Sequence, residues 1–133
     1  MKEPLSDLYD WQLKDYHALV RTSLLNPHAL LIIGKEGLGV VKLVATLISF
    51  LLCLNPNGNY PCGCCKSCEL IANSTHPDWY NLTANIVENK KTCQITTEQV
   101  RGMINYLNVF PHLASKKIIL IENTSELSLN TSN

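Results

Sequence analysis

Apolar positions divide the chain into periodic stretches and short unbroken runs. Trp11, Tyr16, Leu19, Val20 and Leu24 recur at close to helical spacing across Asp7 to Leu25, and Asn26-Pro27 supplies a stop. Ala29 to Ile33 is wholly apolar and halts at Gly34, the pattern of a strand buried on both faces of a parallel sheet. A glycine-rich turn, Gly34-Lys-Glu-Gly-Leu-Gly39, leads into an apolar helix over Val40 to Leu54. A cysteine-rich loop, Cys53 to Cys68, precedes a short helix ending near Asn73. Trp79 to Thr83 reads as a second strand, entered through His76-Pro77-Asp78, and Asn85 to Lys91 as a polar loop. Thr96-Thr-Glu-Gln99 has the spacing of a capping box, with Val100, Met103, Ile104 and Leu107 forming one helical face behind it. Lys116 to Ile121 reads as a third strand, and from Glu122 the chain turns polar. Strands alternating with helices predict an α/β layered fold: a parallel sheet with flanking helices and right-handed crossovers.

Composition narrows the function classes. The 133 residues suit one domain, and 46% hydrophobic with 17% charged residues is globular usage. Eleven Lys+Arg against eleven Asp+Glu leave no net charge. Proteins that grip nucleic acid through their own field carry a basic excess or stripe, and only Lys90/Lys91 and Lys116/Lys117 form basic pairs here. Tight DNA binding by this chain alone is disfavoured. The apolar stretch from Val40 to Leu54 contains Lys42 and is shorter than the roughly 20 residues of a membrane span. The N-terminus shows no apolar signal region, so the expected setting is cytoplasmic, without membrane association. Six cysteines in a reducing compartment point to metal or chemistry rather than disulfides. The four sequons at Asn73, Asn81, Asn123 and Asn130 are read as chance.

A working phosphate loop is Gly-x4-Gly-Lys-Ser/Thr: its amides cradle the phosphates, the lysine neutralises them and the hydroxyl holds Mg²⁺. Gly34 and Gly39 keep the glycine spacing and Gly37 adds flexibility, but the next two positions are Val40 and Val41. Neither valine neutralises phosphate or ligates a metal. Lys42 lies two positions further on, roughly 200° around the helix, and does not substitute. After Ile118 to Ile121, Glu122 follows the apolar run as a Walker B acid does, with Asn123 where a catalytic carboxylate is expected next. The pattern is an ATPase scaffold without ATPase activity.

Cys53-x8-Cys62-x2-Cys65-x2-Cys68 places four thiols close together, and Asn55-Pro-Asn-Gly58 supplies the turn that returns Cys53 to the others. Four converging thiolates describe a closed structural Zn²⁺ site with no open position for water. The same spacing also resembles an iron–sulfur run, and a disulfide pair is a third alternative. Cys64 is an extra thiol that points away if both neighbours bind, and Cys93 is remote in sequence. His76-Pro77-Asp78 reads as a rigid entry to a strand rather than a catalytic pair, since no nucleophile accompanies it. His17, His28 and His112 read as structural or surface histidines, Arg101 as solvated or intersubunit, and Trp11 and Tyr16 as core aromatics. Two other function classes stay open: an atypical P-loop NTPase using other residues, and a zinc-ribbon nucleic-acid adaptor.

His28-Ala-Leu-Leu-Ile32 before the glycine loop, Leu51-Leu-Cys53, Cys65-x2-Cys68-Glu-Leu-Ile, His76-Pro-Asp78, Glu98-Gln-Val-Arg101 and Lys117-Ile-Ile-Leu-Ile121 occur in that order. Together they resemble the delta prime family of bacterial DNA polymerase III clamp-loader subunits, of the AAA+ type, over residues 11 to 133. The resemblance implies a RecA-like AAA+ P-loop fold, incomplete, across residues 1–133, with a zinc-binding insertion at about 53–73. Cys53, Cys62, Cys65 and Cys68 become ligands of a structural Zn²⁺, and Gly34, Gly37 and Gly39 the remains of a nucleotide loop. It further implies a subunit with no catalysis of its own and no ATP hydrolysis, within a DNA-directed DNA polymerase holoenzyme. That subunit would form a hetero-oligomer with the gamma/tau and delta subunits and help place the sliding clamp on primed DNA. Family members run to roughly twice this length or more, beyond one ordinary domain. Their neighbour-directed arginine and ring-forming collar follow the stretch matched here, so the resemblance implies a fragment or part of a longer product. Their strand order also inserts a later strand between the first and third strands, so the chain is expected to fold poorly or self-associate alone.

Overall fold

The structure is a computed structural model that describes residues 8–35, 37–86 and 93–122. The chain through Asp7, the Lys90/Lys91 pair and the rest of the polar loop before Cys93 lie outside the described residues. So do Asn123, Asn130 and the polar tail around them. The chain divides into two compact units, Met1–His76 and Pro77–Asn133.

The first unit is helical. A 3-10 turn, Asp10–Gln12, runs into α1, Leu13–Leu24, which ends where Asn26 adopts a positive φ of 51° before Pro27. Helix α2 spans Val40–Leu52 and α3 spans Lys66–Ala72. Tyr16 and Val20, one turn apart on α1, pack with Leu43, Leu47 and Phe50 of α2 to form the core. Each such side chain contributes about 1.5–3 kcal/mol when fully removed from water. The buried hydroxyls of Thr46 and Ser49 donate back to the carbonyls of Lys42 and Ala45, so the apolar helix carries them without orphaned polar atoms. Trp11 departs from the sequence reading: its side chain is 63% exposed and stacks flat on Tyr9 at 4.5 Å rather than entering the core.

The run from Ala29 to Ile33 is not a strand. Leu31 is 74% and Ile33 87% exposed, and no ladder among the described residues includes them. An extended apolar run becomes a strand only when a neighbour supplies its hydrogen bonds, and apolarity alone does not provide one. The strand–turn–helix phosphate-loop unit is therefore present only as turn and helix.

In the second unit β1, Trp79–Leu82, pairs in parallel with β4, Ile118–Ile121, in the register Trp79↔Ile118 to Leu82↔Ile121. Between them in sequence lies α4, Thr97–Leu107, which packs against β1. Its capping box forms as expected: Thr96 Oγ1 accepts from the Gln99 amide, and Gln99 Oε1 accepts from the Thr96 amide. The start of the expected polar loop instead forms β2, Asn85–Ile86, antiparallel to β3, Cys93–Gln94, which places Cys93 on a strand. The described part of this unit is a small α/β arrangement, a short parallel pair of strands with α4 packed against it.

Candidate functional site

The cysteine cluster grows out of two helix ends. Cys53 follows the last turn of α2, its amide donating to the Phe50 carbonyl. Cys65 is the N-cap of α3, its sulfur accepting from the Cys68 amide at 3.4 Å, and Cys68 sits in the first turn. Cys62 closes the loop between them. The sulfurs of Cys53 and Cys62 are 3.5 Å apart, Cys53 and Cys68 3.8 Å, Cys53 and Cys65 3.9 Å, and Cys62 and Cys68 4.0 Å. All four lie within 4.8 Å of one another.

Those spacings decide what the cluster can hold. Four sulfurs about 2.3 Å from one tetrahedral ion stand about 3.8 Å apart, so a single soft ion fits at the centre. An iron–sulfur cluster interposes irons and sulfides between its thiolates and needs a wider spread. A disulfide requires about 2.05 Å, and all four cysteines are free thiols.

Electrostatics divides the four. The amides of Cys64 and Cys65 hold the Cys62 thiol down at about 6. Burial opposes ionisation of Cys65, and the amides of Cys68 and Leu54 outweigh it, so this thiol is also lowered. Burial raises Cys53 and Cys68. A cation held by the four sulfurs would have to displace the protons that burial favours on these two. Cys64 is exposed, and the adjacent Cys62 sulfur raises its thiol.

A hydroxyl splints the same region. Ser67 Oγ donates to the Leu52 carbonyl at 2.6 Å and lies 2.8 Å from His76 Nε2. A hydroxyl has one proton, here given to a carbonyl that can only accept, so His76 Nε2 carries its own proton and donates. Asp78 is fully buried and accepts from three successive amides: His112 on Oδ1, and Leu113 and Ala114 on Oδ2. Both acidic and basic members of the His-Pro-Asp motif thus have structural work, as the motif's reading as a rigid strand entry anticipates.

The two ends of the glycine loop are packed by the protein itself. Gly34 and Gly39 flank it, and Gly37, at φ 84°, lies in the open turn between them. Gln12 Nε2 donates to the carbonyls of Leu38 and Gly39 at 2.9 and 2.8 Å. Gly39, the N-cap of α2, takes φ 72°, and a Cβ there would meet the Tyr9 ring at 2.9 Å. A Cβ on Gly34 would stand 2.3 Å from Val40 Cγ2, so Val40 turns back across the loop. Val41 faces solvent, and Lys42 places its ammonium 4.8 Å over the Tyr9 ring. The adjoining cleft, about 390 Å³, is lined by Trp11, Asp15, Leu31, Ile33, Val40 and Leu43 among others, with no lysine or arginine among its described lining residues. Gln12 and Tyr9 escaped the sequence reading because their partners are more than twenty residues away and no local pattern marks them.

The family model described as DNA polymerase III, delta subunit, matches residues 14–133. The chain belongs to that family. Proteins named DNA polymerase III subunit delta′ are similar to it over most of its length. The one from Pseudomonas aeruginosa is 30% identical over 129 residues, covering 97% of this chain and 38% of the relative. That from Escherichia coli is 32% identical over 122 residues, covering 90% and 35%. That from the Buchnera aphidicola of Acyrthosiphon pisum is 32% identical over 123 residues, covering 91% and 36%. The chain thus spans little more than a third of the length of these delta′ relatives. Among the described residues no helix is long and apolar enough to cross a membrane.

Proposed function

We propose that this chain supplies the AAA+ ATPase-like region of a delta prime clamp-loader subunit that does not hydrolyse ATP. In this reading residues 1–133 form a RecA-like P-loop scaffold, with a metal-binding insertion at about 53–73. It acts in the cytoplasm as a passive member of a hetero-oligomer with gamma/tau and delta subunits. Those partners supply the ATP-driven work that places the sliding clamp on primed DNA. Family membership and the names of the relatives support the clamp-loader role.

One observation carries the non-hydrolysing part. The positions for a lysine and a metal-bound hydroxyl are Val40 and Val41. A triphosphate brought here meets no fixed cation and no Mg²⁺ ligand at those two positions. Titration with ATP and Mg²⁺ is expected to give neither micromolar binding nor turnover, and turnover by the purified chain would establish the NTPase alternative instead. Co-purification of a full-length version with the other clamp-loader subunits tests the assembly role. Failure of that version to join the ring would remove it.

The cysteine cluster is proposed to hold one structural Zn²⁺ through Cys53, Cys62, Cys65 and Cys68. The sulfur spacings support it, and all four protein positions are filled, which leaves no place for a reacting water. A colourless protein with about one equivalent of zinc is the expected product of purification. A coloured protein containing iron would replace zinc in this assignment.

A further inference from the structure

Three of the four thiols sit at helix ends, and Cys62 sits in a loop, its sulfur accepting from the Cys65 amide and its own amide donating to Cys53 Sγ, both at 3.3 Å. Cys53 ends α2, Cys65 caps α3 and Cys68 lies within it, whereas Cys62 hangs from the loop that joins the two helices. A tight turn shapes that loop. Asn57 and Tyr60 exchange both backbone hydrogen bonds, at 2.9 and 3.1 Å, around Gly58 at φ 61°. The turn is tied down from outside by α1. Tyr16, fully buried, donates its hydroxyl to the Asn59 carbonyl at 2.7 Å, and its ring stacks on that of Tyr60 at 5.2 Å and 19°. His17 meets the edge of the Tyr60 ring at 5.9 Å, with Nε2 3.5 Å from the Tyr60 hydroxyl. Only buried Pro61, whose ring fixes its own φ, separates Tyr60 from Cys62.

We propose that Tyr16 is a positioning residue of the metal centre, holding the 54–61 loop so that the Cys62 sulfur meets the other three. The proposal rests on the metal reading given above. The hydroxyl bond sets the height of the turn on α1, the ring stack sets its rotation, and Pro61 transmits both to Cys62. Outer contacts that orient a ligand typically change metal affinity by about 10–100-fold when lost.

The test uses the whole chain loaded with Co²⁺ or Zn²⁺, with affinity measured by chelator competition. Wild-type protein is expected to show the thiolate-to-cobalt charge-transfer band of a four-sulfur site. Tyr16→Phe keeps the ring and removes the donor, and is expected to bind about tenfold more weakly with the same band per bound cobalt. Tyr60→Leu removes the stack without altering α1 and is expected to weaken binding similarly, which keeps the test open if the first variant folds poorly. Val20→Ala thins the same helical core and keeps both the Tyr16 hydroxyl bond to Asn59 and the ring stack on Tyr60. It is expected to lower the melting temperature while leaving metal affinity unchanged. Wild-type affinity in both tyrosine variants, or an equal loss in Val20→Ala, overturns the positioning role. A wild-type chain without the charge-transfer band overturns the metal reading itself, a separate and recognisable failure.

Discussion

The side-chain amide of Gln12 donates to the Gly39 carbonyl at 2.8 Å, tying the 3-10 turn before α1 to the residue that caps α2. A nucleotide-binding loop offers its amides to phosphate; the Gln12 bonds fall instead on the carbonyls of Leu38 and Gly39 and pin the end of the loop to the entrance of α1. The loop is a joint between two helices. Gln12→Ala leaves two carbonyls without this buried donor and is expected to cost about 1–3 kcal/mol in urea unfolding. An unchanged midpoint would mean that the loop keeps its shape without the tie.

The three amides on Asp78 predict a strong dependence on that carboxylate. Asp78→Asn replaces one acceptor oxygen with a donor facing amides, and about 3 kcal/mol of destabilisation is expected. His112→Ala changes only an exposed ring, since the residue contributes its backbone N–H, and is expected to stay within about 0.5 kcal/mol of wild type. Equal effects from the two substitutions would contradict this division of labour.

Tyr106 gives the chain an alkaline limit. Its hydroxyl donates to the Pro77 carbonyl, and burial, followed by the nearby charge of Asp78, raises it from 10.0 to about 12. The unfolded chain loses this proton first, so the stabilisation is complete below pH 10.0 and disappears as pH rises towards about 12. Tyr106→Phe is expected to flatten the fall of melting temperature across that window. A variant as alkali-sensitive as the parent would assign the fall to other groups.

Leu31 and Ile33 present apolar side chains to solvent on a segment with no ladder among the described residues. Such a segment promotes association between copies. The double variant Leu31→Lys, Ile33→Lys is expected to shift sedimentation towards monomer, with stability changed by no more than about 0.5 kcal/mol per site. If wild type already sediments as a monomer at high concentration, this expectation is wrong.

Where structure is decided locally, the sequence was a sufficient guide. The capping box at Thr96 and Gln99, the helical spacing of Tyr16 and Val20 and the close spacing of Cys62, Cys65 and Cys68 all depend on residues three or four positions apart. The run at 29–33 was misread because a strand is decided by its neighbour, which apolarity does not report. Trp11 was misread because stacking on Tyr9 satisfies an aromatic face without burial. Gln12 and Asp78 bond to backbone groups 26 and 34 residues away, and backbone acceptors and donors carry no residue signature.

Ser67 joins the last turn of α2 to His76 through atoms that owe nothing to sulfur. Chelators and thiol oxidants have no purchase on this tie, which is made of a hydroxyl, a carbonyl and an imidazole.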